Sequence, residues 1–466
     1  MYNESKLNEK ELDILRNAVD KAEKITGKQL VKSKNIKKII SLVENFIKTK
    51  QLICYGGTAI NNILPKKEQF YNLDIELPDY DFFSTNALTD AKELADLYYK
   101  FGYTEVEAKA GIHDGTYKVF VNFIPVADIT QLNLEIFNAL KKQAIKINNI
   151  LYTPPDFLRM SMYLELSRPN GDISRWEKVL KRLFLLNKHY PMHNPKCSDI
   201  KFMRDFQGEK KEANKLIYLI KKTLVNEGVV FFGAYATSLY NYYNKTSHFD
   251  KKSPDFDVLS ETPKDTAIIL KDKLEANGYN NIKIYKKPGI GEVIAPHYEV
   301  VYGNDTIVYI YNPLACHSYN IIKLNNLNIK VATIDTIMSF YLAFLFSNRK
   351  YYDHNRIYCM AQFLFNTQKY NRLTQKGLLK RFTLKCYGKQ KTMEDIKKFK
   401  SQKFKELQKL AKNNIEYEKY FLKYVPDNNK KKLTKKAATL PIKNTRKKNK
   451  NKIKKAKTVS LTKKNK

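Results

Sequence analysis

Apolar positions along the chain change their period several times, and each change marks a new element. Over the first 50 residues they recur at helical spacing, as Leu12, Ile14 and Leu15 and then Ile39, Ile40, Leu42, Val43, Phe46 and Ile47. This predicts an N-terminal helical segment, 1–50, that braces the domain after it. From 51 to 150 short apolar runs are broken by Gly, Pro and Asp, with one helix near Asp90 to Lys100, the pattern of a mixed α/β domain. A helical connector, 151–215, opens with a helical stretch from Pro155 to about Lys188, and a second mixed unit occupies 216–330. A C-terminal helical region, 331–427, includes a helix from Asp335 to Phe346, and 428–466 has no apolar period at all.

The two mixed units repeat the same landmarks in the same order. Each begins with glycine at the end of an apolar run, at Cys54-Tyr55-Gly56-Gly57-Thr58 and at Phe231-Phe232-Gly233-Ala234-Tyr235. Each then reaches Pro-Asp-aromatic-Asp, at Pro78-Asp79-Tyr80-Asp81 and Pro254-Asp255-Phe256-Asp257. Gly102-Tyr103 and Gly278-Tyr279 follow their second aspartate at the same spacing of 21. Beyond that point the copies diverge, and matching Pro125-Val126-Ala127-Asp128 to Pro313-Leu314-Ala315-Cys316 puts a cysteine where the first copy has an acid. A neutral thiol is a poor ligand for a hard cation, so the second copy is read as degenerate, with Asp255 and Asp257 as relics.

Composition narrows the partners. The chain has 466 residues, 84 Lys and Arg against 47 Asp and Glu, and a formal charge of +37. Such an excess suits a polyanion, nucleic acid first, with a codon bias toward Lys as the competing source. The 17 Lys and Arg of 428–466, with no acid among them, predict a disordered basic tail. Attraction to RNA phosphate, a localisation signal and simple solubility are its open readings. The five cysteines are widely separated and form no Cys-x-x-Cys pair, so neither a zinc knuckle nor a disulfide framework is expected and a reducing compartment fits. No run of about 18 apolar residues suggests a membrane span.

The candidate chemistry lies in the first copy. On a strand, residues i and i+2 share a face, so Asp79 and Asp81 stand side by side while Tyr80 turns into the core. Two such carboxylates repel and need a neutralising partner, and a divalent hard cation is the natural one. Gly56 and Gly57 let backbone approach a phosphate at a helix N-terminus, and Thr58 adds a hydroxyl donor. Asp128 ends the apolar run Val119 to Ala127, where it joins the pair as a third ligand or caps a helix. A helix from Ser174 to Leu186 places Arg175, Lys178, Lys181 and Arg182 on one face, with Val179, Leu183 and Leu186 behind it. That face grips triphosphate or RNA, or is a solvated charged surface.

Glycine turn, Asp-x-Asp and a third acid on a neighbouring strand form the pattern of the polymerase β-like nucleotidyltransferases. More narrowly, Tyr55-Gly56-Gly57-Thr58-Ala59-Ile60-Asn61, Pro78 to Ser84, His113-Asp114-Gly115-Thr116-Tyr117-Lys118 and Arg168 to Lys178 resemble the poly(A) polymerase catalytic subunits of giant cytoplasmic DNA viruses, with poxvirus and asfarvirus enzymes as remoter relatives. The resemblance covers roughly Gln51 to Tyr424. It implies an α/β (α+β) chain of two tandem polymerase β-like domains, the second non-catalytic. It also implies ATP as donor, Mg²⁺ or Mn²⁺ as a pair of ions on Asp79, Asp81 and Asp128, an RNA 3′ end as acceptor and a homodimer. The host cytoplasm, with packaging in the virion, is the expected location. A tRNA 3′-end enzyme, an oligoadenylate synthetase and a silent RNA-binding factor on the same fold are the rival readings.

Overall fold

A computed structural model of the chain describes residues 4–72, 77–204, 210–244, 249, 256–324 and 326–426. The basic tail expected at 428–466, and Pro254 and Asp255 of the second copy, lie outside the described residues.

The first half runs α1 (Glu4–Lys32), α2 (Lys34–Lys50), β1 (Ile53–Cys54), α3 (Gly56–Ile63), β2 (Tyr80–Ser84), α4 (Ala87–Lys100), β3 (Val106–Ala110), β4 (Thr116–Val121), β5 (Ile124–Gln131), α5 (Leu134–Gln143), β6 (Ile145–Ile147), β7 (Ile150–Tyr152), α6 (Pro155–Leu166) and α7 (Trp176–His189). The second runs α8 (Lys210–Asn226), β8 (Val230–Phe232), α9 (Gly233–Leu239), α10 (Asn241–Asn244), β9 (Phe256–Leu259), α11 (Pro263–Glu275), β10 (Lys283–Lys287), β11 (His297–Tyr302), β12 (Asp305–Tyr311), β13 (His317–Leu324), β14 (Leu327–Ala332), α12 (Ile334–Phe344) and α13 (His354–Tyr370). The chain closes with β15 (Cys386–Tyr387), α14 (Met393–Leu407), α15 (Ile415–Phe421) and β16 (Lys423–Tyr424).

The strands form two sheets ordered β16-β3-β4-β5-β2-β1-β7-β6 and β10-β11-β12-β9-β8-β14-β13-β15. Reading outward from β2 and from β9, seven strands of each sheet coincide in order, and only the eighth differs, β16 flanking β3 in the first and β15 flanking β13 in the second. Beyond each sheet a helix leaves from the same place, α6 after β7 and α12 after β14, and these two helices pack on each other. The first sheet thus takes two strands that run past the end of the expected 51–150 unit, at 150–152 and at 423–424. A parallel partner or an edge strand is recruited by tertiary contact and leaves no local period.

Within 1–50 only α2 braces the first sheet. Its Ile36, Ile39, Leu42, Val43, Phe46 and Ile47 are buried, each worth on the order of 1.5–3 kcal/mol of apolar burial. In α1, by contrast, Leu12, Ile14 and Leu15 are exposed, because the charged residues around them leave no continuous apolar stripe. The run Val119 to Ala127 is not one strand but a hairpin, turning at Asn122 and Phe123 with φ of 49° and 65°. Asp128 therefore lies inside β5 and caps no helix; Asn133 caps α5 instead, accepting from the amide of Glu135.

The expectation of no disulfide is overturned. Cys197 is bonded to Cys359, and Cys316 to Cys386, while Cys54 is buried and free. The bonded pairs are 162 and 70 residues apart, and only the fold brings such partners together, so spacing could not reveal them. Among the described residues no helix is long and apolar enough to cross a membrane.

Candidate active site

The site is built on three adjacent strands. β2 and β5 run parallel with Asp81 opposite Asp128, and neighbouring strands lie about 4.8 Å apart, so the two side chains leave the sheet on one face. Asp79 immediately precedes β2 and shares that face by the two-residue period. Tyr80 turns the other way, buried, with its hydroxyl donating to Glu44 Oε1 at 2.6 Å. On the far side of β5, Lys118 of β4 is in register with Asp128 and its ammonium pairs with Asp128 Oδ2.

Crowding three acids on one face raises the cost of ionising Asp79 and Asp81. Burial, with Asp79 and Asp128 nearby, pushes the Asp81 carboxyl up to about 7, against relief from Lys118 and Arg175. Asp79 is raised too, chiefly by desolvation and then by Asp128. Asp128 Oδ1 is buried without any hydrogen-bond partner. A buried acceptor left unpartnered costs about 1–3 kcal/mol, and a site that carries one is incomplete without a ligand. Among the described residues no three His, Cys, Asp or Glu side chains converge closely enough to enclose a metal unaided. Without a cation the carboxylates repel, and Lys118 supplies the counter-charge to Asp128. Hard oxygen donors with one orphaned oxygen fit a divalent ion that brings further ligands of its own, as Mg²⁺ does with phosphate oxygens.

The glycine turn packs directly on this face. Gly56 has φ of 71°, and a Cβ there would meet Asp81 Oδ2 at 2.5 Å. The Tyr55 amide donates to the Asp81 carbonyl at 2.9 Å, locking turn to strand. A Cβ at Gly57 would run into the Tyr71 hydroxyl and lie 3.0 Å from the Arg182 guanidinium. That guanidinium donates to the Tyr71 hydroxyl at 2.8 Å and lies 4.8 Å from the centre of the Phe70 ring, so an aromatic shelf aims it at the N-terminus of α3. Thr58 departs from expectation. Its hydroxyl is buried and donates to the Asp79 carbonyl at 2.6 Å, so it fixes the backbone that carries Asp79 and offers no proton to a phosphate.

The basic helix divides. Val179, Leu183 and Leu186 are buried as its period predicts. Arg182 faces the glycine turn, and Arg175, in a 3₁₀ turn ahead of α7, pairs with Glu165 at 3.1 Å and lowers the Asp81 carboxyl. Lys178 and Lys181 are exposed, and Lys181 pairs with Glu177 on its own helix at 2.5 Å. A spacing of six falls about 120° short of two full turns, which carries Lys181 off the face that Arg175 and Arg182 share.

Sequence reasoning missed Lys118 as the partner of Asp128 and Tyr71 as the seat of Arg182. It also misplaced the third position of the second copy. There β9 pairs with β12 as β2 does with β5, and Asp257 lies opposite Tyr309, with Glu299 in the place of Lys118. Cys316 is seven residues further on, so the residue standing for Asp128 is Tyr309. The insertion before β12 shifts any alignment made on the Pro-x-Ala landmark, whereas strand pairing fixes the correspondence.

Both halves carry a polymerase β-like fold, the second without the third acid. Over 92% of its length the chain superposes on 87% of the Megavirus polyadenylate synthase with a TM-score of 0.76, at 20% sequence identity. Residues 41–172 match the family described as poly(A) polymerase catalytic subunit, as the motifs indicated. A protein of Acanthamoeba polyphaga mimivirus named as a poly(A) polymerase catalytic subunit is 32% identical over 190 residues, which is 40% of this chain and 32% of the relative. One from African swine fever virus (isolate Pig/Kenya/KEN-50/1950), named likewise, is 34% identical over 180 residues, 37% of this chain and 38% of the relative. The similarity thus spans about a third of the length of these curated relatives, and the family match at 41–172 includes the glycine turn and all three acids.

Proposed function

We propose that the chain is a template-independent nucleotidyltransferase that adds AMP from ATP to the 3′ end of RNA, a poly(A) polymerase. The observation that carries this reading is Asp81 opposite Asp128 on parallel strands, with Asp79 on the same face and a glycine turn packed against it. Asp79 and Asp81 would hold both members of a pair of divalent ions, Mg²⁺ or Mn²⁺, and Asp128 one of them. Bound there, the ions supply charge neutralisation for the triphosphate and a lowered pKa for the attacking hydroxyl. Gly56 and Gly57 give the triphosphate a close backbone approach at the N-terminus of α3, and Arg182 meets its charge from the aromatic shelf. Arg175 lowers the cost of keeping Asp81 ionised. Thr58 and Tyr55 act through backbone contacts that hold Asp79 and Asp81 in place.

Assembly as a homodimer and action in the host cytoplasm, with packaging in the virion, belong to the same reading, supported by the viral origin of the relatives. The deciding experiment incubates the protein with a labelled RNA primer, Mg²⁺ or Mn²⁺, and each ribonucleotide in turn. Long tails with ATP alone are expected. A few residues added from CTP and ATP indicate a tRNA 3′-end enzyme, and primer-free synthesis from ATP an oligoadenylate synthetase. No extension under any condition indicates a silent RNA-binding factor.

A further inference from the structure

Beside the acidic face lies a cavity of about 510 Å³ between the two copies, which the reading above leaves without a task. Its walls come from both. Thr116 and Thr130 line it from β4 and β5, Phe157 and Arg168 from α6 and the loop after it, and Val293 and Phe340 from the second copy. Thr130 is two residues beyond Asp128 on the same strand, so the cavity continues the face that carries the acids. The Thr130 hydroxyl lies 2.8 Å from the Tyr55 hydroxyl and 3.2 Å from that of Thr116, forming a short row of hydroxyls at its mouth.

Arg168 is the unusual member. Its Nε is buried with no hydrogen-bond partner, and among the described residues its guanidinium makes no ion pair. Desolvation lowers its affinity for the proton, with only partial relief from Glu292 and Glu165. A half-buried guanidinium without a bound acceptor is a receptor for planar or phosphate oxygens. Phe157 and Phe340, both buried, offer apolar ring surface on which a base can lie.

Position along β2 and β5 decides which nucleotide belongs here. The glycine turn packs on Asp81 and on the backbone of Asp79, at the start of β2, whereas the cavity opens past the acids at the far ends of β2 and β5, from Phe83 and Thr130 to Leu132. In an in-line displacement the attacking and leaving oxygens stand on opposite sides of the phosphorus. With the triphosphate against the glycine turn, the attacking hydroxyl arrives from the cavity side.

We propose that this cavity seats the 3′-terminal nucleotide of the acceptor RNA, with Arg168 on its phosphate, the hydroxyl row on its ribose and the second copy walling in its base. The inference rests on the nucleotidyltransferase reading and assigns the degenerate copy a use: it completes the acceptor pocket. Two variants of the full-length protein test it. Arg168→Met removes the cation, and Ser161→Trp, at an exposed cavity position on α6, fills the space without taking away a buried group. Binding of a fluorescent oligoadenylate and of ATP is measured separately, alongside primer extension and thermal unfolding. At least tenfold weaker oligoadenylate binding and a matching rise in KM for primer are expected in Ser161→Trp, with ATP binding and melting temperature unchanged. Weakened ATP binding with primer binding intact would assign the cavity to the donor nucleotide and overturn the proposal. So would a Ser161→Trp protein that binds both normally. Wild type that binds oligoadenylate through this cavity yet extends nothing would instead defeat the reading of the activity, leaving the acceptor pocket standing.

Discussion

The two copies keep the same backbone and part at a handful of side chains. Gly56 and Gly233 have φ of 71° and 73°, and at both a Cβ would collide with the second aspartate of the motif, Asp81 or Asp257. In the first copy that aspartate faces Asp128, with Lys118 beyond. In the second it faces Tyr309, with Glu299 beyond. Arg204 then donates to the Tyr309 hydroxyl at 2.9 Å and to the Tyr351 carbonyl at 2.8 Å. Tyr309, Tyr311, Tyr352 and Arg204 close around Asp257, leaving a cavity of about 30 Å³, room for about one or two waters. Rings and a guanidinium occupy the space that stays open beside the first copy's acids. Loss of chemistry here is a matter of filling and of one acid. The strand pairing and the glycine turn survive because the core on the other face of each sheet still needs them.

The sharpest way to break this contrast is to remove the acid that defines it. Asp81→Asn should lower RNA extension by at least about 10³-fold, with the circular dichroism spectrum unchanged. Its effect on the metal-free protein runs the opposite way. The folded carboxyl titrates at about 7, above an ordinary value of 3.8, so the folded state binds the proton more tightly than the unfolded chain. Stability from this group is complete below the ordinary value and is lost as pH rises through about 7. At pH 8 the Asn variant should therefore be more stable than wild type, on the order of 1–4 kcal/mol, read as a higher melting temperature without Mg²⁺. A variant that is both inactive and less stable at pH 8 would place Asp81 among structural residues instead. Next in size is Arg182→Ala, expected to raise KM for ATP by about 10- to 100-fold, the worth of a charge-assisted contact of about 1.5–3 kcal/mol, with KM for primer little changed. Equal losses for both substrates would remove Arg182 from the triphosphate side.

The divergence between copies also shows which parts were legible in the sequence. Asp79, Asp81 and the glycine turn could be read because period-two alternation and a turn are local, and the structure packs them on one another. Asp128 could be named as a candidate, but its partner Lys118 could not, since strand register is set by tertiary pairing. The same blindness produced the match of Cys316 to Asp128, where spacing along the chain replaced pairing across the sheet. Thr58 was misread for another reason: a hydroxyl beside a glycine turn serves a phosphate or the neighbouring strand equally well, and only the 2.6 Å contact to the Asp79 carbonyl tells them apart. The disulfides and the joining of β16 to β3 are long-range closures of the same kind.

Lys118 sharpens the comparison because the second copy has an acid at its position. In the metal-free protein Lys118 lowers the cost of ionising Asp79 and Asp81 and engages Asp128 Oδ2. Lys118→Met should raise both carboxyls further, so the metal-free variant loses more stability than wild type as pH rises through the neutral range. Mg²⁺ should then raise its melting temperature by several degrees more than it raises that of wild type, because the ion no longer competes with an ammonium for Asp128. An equal or smaller Mg²⁺ shift in the variant would mean that cation and ammonium do not share that carboxylate.

The smallest expected effect is the most exacting test of the contrast. Asp257→Asn keeps the shape of the second copy's side chain and removes its charge. With Tyr309 opposite, and Arg204, Tyr311 and Tyr352 filling the space around it, Asp257 lacks the facing carboxylate that Asp81 has in Asp128. Extension by the variant should stay within about twofold of wild type, while the melting temperature falls, because the Arg204 guanidinium loses a half-buried counter-charge that lines the same cavity. Rate and stability are thus predicted to separate here in the reverse sense to Asp81→Asn, where the rate collapses and metal-free stability at pH 8 rises. A loss of extension in Asp257→Asn as deep as that of Asp81→Asn, in a protein whose unfolding is unchanged, would show that the second copy still takes part in the chemistry and that its filled site is a closed state of a working one.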